Sequence, residues 1–159
     1  SNIPVRCSGS TDKDPPKEAK PTPSNADSFE STNHALELIN KINRSSYARL
    51  YVNKLKTFEY DLAMEAGNLT VMIPVAKSLL ETDGSIKGKY EEHEKIKWAD
   101  EKDENVKAEA AYHLLTHIDK GIFSQTLTDY CIAKKVSLAV PEYIKNAVIW
   151  ACGGNPDDA

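Results

Sequence analysis

Asp12-Lys-Asp-Pro-Pro-Lys-Glu-Ala-Lys-Pro-Thr-Pro-Ser-Asn-Ala-Asp27 is the stretch on which the reading of this chain turns. It holds four of the eight prolines, and a fifth, Pro4, lies just upstream. From Ser1 to Asp27 there is no aromatic residue and no apolar run, a composition that has little to bury and favours an extended or polyproline-like linker. Arg6, Lys13, Lys17 and Lys20 balance Asp12, Asp14, Glu18 and Asp27, so the segment is neither a basic nor an acidic arm. Every Phe, Tyr and Trp lies from Phe29 onward, on helix-spaced stripes. The expected organisation is a disordered tail over residues 1–28, one all-α domain of five or six helices over 29–154, and a flexible end at 155–159.

The bulk properties agree with that partition. About 130 residues outside the tail suffice to bury roughly two thirds of their unfolded surface without a metal or a disulfide. The formal net charge of −4 argues against a nucleic-acid partner, since such proteins present a basic face. No stretch approaches the roughly 20 apolar residues of a transmembrane helix. Three cysteines (Cys7, Cys131, Cys152) leave at least one thiol free or paired between chains, and Cys7 on the arm could join two copies. Cys131 and Cys152 fall on predicted core faces, where thiols act as small hydrophobes. Two sequons, Asn43-Arg-Ser and Asn68-Leu-Thr, would accept glycans on a eukaryotic secretory route. A Pro-rich arm with a lone cysteine, on a chain starting without Met, favours an extracellular or periplasmic setting and leaves the compartment otherwise open.

Along the helical part, a first helix is expected from Ser31 or Thr32, with Ala35, Leu38, Ile39 and Ile42 as its stripe. Tyr47, Leu50, Tyr51, Leu55, Phe58 and Leu62 recur at spacings of three and four and predict a longer helix, closed by a left-handed glycine at Gly67. Leu69-Thr-Val-Met-Ile reads as helical because no second strand is evident to pair with it. Pro74 fits a first turn, and Thr82-Asp83-Gly84-Ser85 reads as a turn. From Lys87 to Glu109, 14 of 23 residues are charged, which reads as a solvated helix interrupted by Trp98. Ala108, Ala111, Leu115 and Ile118 mark the next helix, with Gly121 as its stop. Phe123, Leu127, Tyr130 and Cys131 mark another. Pro141 opens the last, whose face is Ile144, Ala147, Val148 and Ala151.

No motif assigns an activity. His113 and His117 are four apart on a helix and would lie on one side, a spacing zinc sites use, yet Leu114 stands where a zinc protease needs Glu. The Asp83-Gly84 segment fails as a calcium loop, since Leu79 and Tyr90 would occupy positions that need oxygen donors. The expectation is therefore a non-enzymatic, helical protein-binding module on a flexible arm, a secreted or surface-exposed factor, inhibitor or adaptor with no cofactor. Tyr90, Trp98, Tyr143 and Trp150 are its candidate anchors for another protein, because aromatic residues dominate interface energetics. The alternatives are a metal-dependent enzyme built on His113 and His117, or a structural domain dimerised through Cys7.

Overall fold

The computed structural model describes residues 5–31, 33–80 and 85–158. The turn expected at Thr82-Asp83-Gly84 lies outside them. Two compact units emerge, one of residues 1–61 with 140–159 and one of residues 62–139.

In the first unit, β1 (Cys7–Thr11) and β2 (Ala48–Val52) pair in parallel, Cys7 opposite Ala48 and Thr11 opposite Val52. The protein is thus mostly helical with a small two-stranded sheet, rather than all-α, and has seven α-helices among the described residues rather than five or six. Between the strands run a short 3-10 helix at His34–Leu38 and α1 (Ile39–Ile42). α7 (Glu142–Ala151) packs on both strands. Ser8 Oγ donates to Ala147 O at 2.8 Å, and Tyr143 and Ala147 are the buried residues of α7. The expected face of Ile144, Ala147, Val148 and Ala151 is therefore rotated, with Val148 57% exposed. Tyr143, Ala147 and Trp150 also follow the i, i+4, i+7 rule and carry more apolar area to the sheet.

The long helix expected through Tyr47 and Leu62 is instead β2, a turn, and α2 (Phe58–Met64). A buried carboxylate supplies the reason. Asp61 accepts the backbone N–H groups of Lys54 (2.9 Å), Leu55 (3.1 Å) and Lys56 (3.0 Å), and the Asn53 side-chain amide at 3.2 Å. Four donors drawn to one side chain hold residues 53–56 as a turn that a helix could not contain.

The segment read as a tail is structured in its described part. The buried ammonium of Lys56 donates to the carbonyls of Lys17 (2.6 Å), Ala19 (2.7 Å) and Pro16 (3.4 Å). Tyr60 Oη donates to Pro21 O at 2.9 Å, and Lys13 Nζ to Ala26 O at 2.9 Å. A segment poor in apolar residues is thus ordered by its carbonyl groups, which satisfy polar groups that burial would otherwise penalise.

In the second unit α3 (Leu69–Ser78) is the hub. It buries Leu69, Met72, Ile73, Val75 and Ala76, and α4 (Ser85–Glu94), α5 (Glu104–His117) and α6 (Lys120–Lys134) pack on it. Leu69–Ile73 is helical as expected, but the helix starts at Leu69, which leaves Pro74 inside it. Gly67 is not the left-handed cap. Ala66 takes that conformation (φ 39°), while a Cβ at Gly67 would stand 3.3 Å from Ala99 Cα. Gly121 does not end α5 but lies in the first turn of α6, where Asp119 is the N-cap and accepts Ile122 N–H at 2.9 Å. α6 closes on Lys135 (φ 54°), with Val136 N–H bonded to Cys131 O and Lys135 N–H to Ile132 O, a Schellman ending.

Candidate functional site

A cluster of titratable and aromatic side chains lies in the second unit, on α4, α5 and the link between them. His93 and Lys89 share one side of α4 at i, i+4, and Glu109 and His113 share one side of α5 at the same spacing. His93 Nε2 stands 2.9 Å from His113 Nδ1. His113 Nε2 stands 3.2 Å from Glu109 Oε1 and 3.5 Å from Lys89 Nζ. Glu109 is the nearer, and its carboxylate accepts only, so the neutral His113 carries its proton on Nε2. Its Nδ1 then accepts from His93 Nε2–H, giving a chain from imidazole to imidazole to carboxylate.

Burial sets the electrostatics. Both histidines are buried, and desolvation lowers each below the ordinary imidazole range, His113 to about 4. Lys89 pushes both further down; Glu109 opposes it at both, and Glu92 at His93. The pair is therefore uncharged at neutral pH.

Aromatic rings close the cluster. Tyr90 meets His93 edge-on at 6.3 Å between centroids, and Trp98 lies 5.9 Å from His93. Tyr90 is fully buried and Trp98 is 2% exposed, and neither Tyr90 Oη nor Trp98 Nε1 has a hydrogen-bond partner among the described residues. Each such orphan costs roughly 1–3 kcal/mol.

The expected anchors are thus placed in core positions, apart from one. Tyr90 and Trp98 flank His93, and Tyr143 is buried against the sheet of the first unit. Trp150 is half-buried there, with the Arg6 guanidinium 4.3 Å and the Arg49 guanidinium 4.2 Å from its ring centroid. His113 and His117 do share a side of α5, with centroids 6.0 Å apart, but His117 is exposed whereas His113 faces α4. Among the described residues no group of three or more His, Cys, Asp or Glu side chains is placed to hold a metal ion. All three cysteines are free thiols; Cys7 and Cys152 are exposed and Cys131 is half-buried. Cys152 therefore does not sit in the core.

The two sequon asparagines are committed to backbone. Asn43 donates to Leu50 O (3.2 Å) and accepts from Leu50 N–H (2.7 Å). Asn68 donates to Leu62 O (2.7 Å) and to Ala139 O (2.8 Å), and accepts from Ala139 N–H (2.8 Å). The roles of Glu109 and Lys89 were open to detection, since both stand at i, i+4 from a histidine. The His93–His113 contact was not, because it joins two helices 20 residues apart.

Comparison with protein families, with characterised proteins and with solved structures finds no match to this chain.

Proposed function

We propose that the chain is a non-enzymatic protein-binding module and that α6 supplies its contact surface. The observation that carries this is Ile132, 72% exposed in the last turn of a helix that is firmly closed at both ends. Ile122 (58% exposed) is a second exposed apolar residue of α6, in its first turn, and Val136 (38% exposed) follows the helix end. Lys134 and Lys135 are exposed beside Ile132 and make no ion pair among the described residues. Apolar residues bordered by unpaired cations suit a partner segment that is apolar with flanking carboxylates.

The capped helix supports this reading because it needs no partner to form: Asp119 and the Schellman ending satisfy its terminal backbone groups. Ile122→Ser with Ile132→Ser should leave the melting temperature within about 2 °C, since exposed positions carry little stability. Proteins captured from the native source by the unaltered chain should then be lost with the double variant. Recovery of the same proteins by both would refute the assignment of α6.

A further inference from the structure

We infer that the His93–His113 contact is a proton-operated latch between α4 and α5, which holds Tyr90 and Trp98 inside the second unit and releases them in acid. The inference is independent of what α6 binds.

The geometry carries it. At 2.9 Å, His93 Nε2 and His113 Nδ1 have room for one proton between them. One added proton is accommodated: taken up on His93 Nδ1, it leaves a single proton between His93 Nε2 and His113 Nδ1, held by either ring, while His113 Nε2–H still donates to Glu109. A second places two N–H donors head to head, and that contact cannot survive it. The closed state also holds Tyr90 Oη and Trp98 Nε1 without partners among the described residues, and both rings lie against His93. Opening gives both groups to water. The closed state therefore carries a standing penalty on the two rings that flank the contact which a second proton breaks.

The groups facing the pair do not remove this effect. Lys89 of α4 disfavours protonation of both rings; His117 of α5 disfavours it at His113. Glu109 of α5 favours the first proton, and Glu92 of α4 acts the same way on His93. On the hub helix, Lys77 is paired with Glu94 at 2.6 Å and with Glu91 at 4.0 Å, both on α4. That pairing tethers α4 to α3 at its exposed side when the buried side lets go.

The test uses the full chain with Trp150→Phe, so that emission reports Trp98 alone. From pH 7 to 4 the emission should shift to the red, and the amide protection factors in α4, each taken against the intrinsic exchange rate at the same pH, should fall at least tenfold while those of α3 hold. His93→Gln keeps a donor opposite His113 Nδ1 but cannot take a proton. It should remain closed at a pH where the parent has opened, with a shallower pH profile. If His93→Gln fails to fold, His113→Asn replaces it, and the exchange profile of the unaltered chain stands as a separate measure. Emission and α4 protection factors that stay flat from pH 7 to 4, or a variant that opens at the same pH as the parent, would overturn the latch.

Discussion

Asn68 pairs with the backbone of Ala139 through both halves of its amide, 2.8 Å on each side, as one strand residue pairs with another. Its Nδ2 reaches Leu62 O as well, so one 5% exposed side chain ties the start of α3 to the two ends of the second unit. Replacement by Ala strands a backbone donor and two acceptors, and should lower stability by about 2–4 kcal/mol, read as a lower urea midpoint at unchanged slope. Asn68→Asp should be at least as damaging, because it removes both donations. In a glycosylating host, the folded protein should carry no glycan at Asn68 or Asn43, which peptide mapping by mass spectrometry checks.

Acid should weaken the fold with a definite sign. His93 and His113 have folded-state pKa values below the unfolded value near 6.5, so the unfolded chain binds more protons between that pH and about 4. Stability should therefore fall as pH drops across this window and level off below it. Urea denaturation at pH 7, 5.5 and 4.5 measures the slope, and His93→Gln should flatten it. A stability that rises on acidification through the window would mean that the pair is charged in the fold.

Asp61 should resist even its closest replacement. Burial raises its pKa in spite of the backbone N–H groups of Lys56, Leu55 and Lys54, so the carboxylate is desolvated yet indispensable as an acceptor. Asn keeps one acceptor oxygen and sets an NH2 group against donors on the other side. Asp61→Asn should cost about 2–3 kcal/mol, detectable as a drop in melting temperature of several degrees.

Lys135 offers the opposite sign. A lysine held at φ 54° gives up about 1 kcal/mol that glycine does not. Lys135→Gly should therefore raise the melting temperature, and Lys135→Val should lower it. The glycine variant also removes one of the cations assigned to the α6 surface, so for it binding and stability should move in opposite directions.

Helical content was legible where burial follows the 3.6-residue period strongly, as in α3 and α6, with Leu69, Met72, Ile73 and Phe123, Leu127 all inside. The faces of α5 and α7 were legible in part: Ala108, Ala111 and Ala147 are buried as expected, but Ala110 and His113 are buried as well and Val148 is not, because small and polar residues decide these faces. Tyr47, Leu50 and Tyr51 imitate a helix stripe, and what separates strand from helix lies outside the stripe: the pull of Asp61 on residues 53–56, the pairing with β1 and the Asn43 bonds to Leu50. β1, Cys-Ser-Gly-Ser-Thr, has no apolar alternation, and its partner lies some 40 residues away, so nothing local announces it. The candidate site was visible in part. Its histidines stand at telling spacings, but a hydrogen bond across two helices leaves no mark on either.

The Lys56 ammonium has a practical consequence for anyone cutting this chain. A fragment begun at Phe29, where composition invites a boundary, would lack the carbonyl oxygens of Pro16, Lys17, Ala19 and Pro21. It would leave a positive charge and a tyrosine hydroxyl facing a hollow, and β2 without its neighbour. Such a fragment should express as an aggregating product. The stretch richest in proline, by contrast, should resist limited proteolysis in the intact protein.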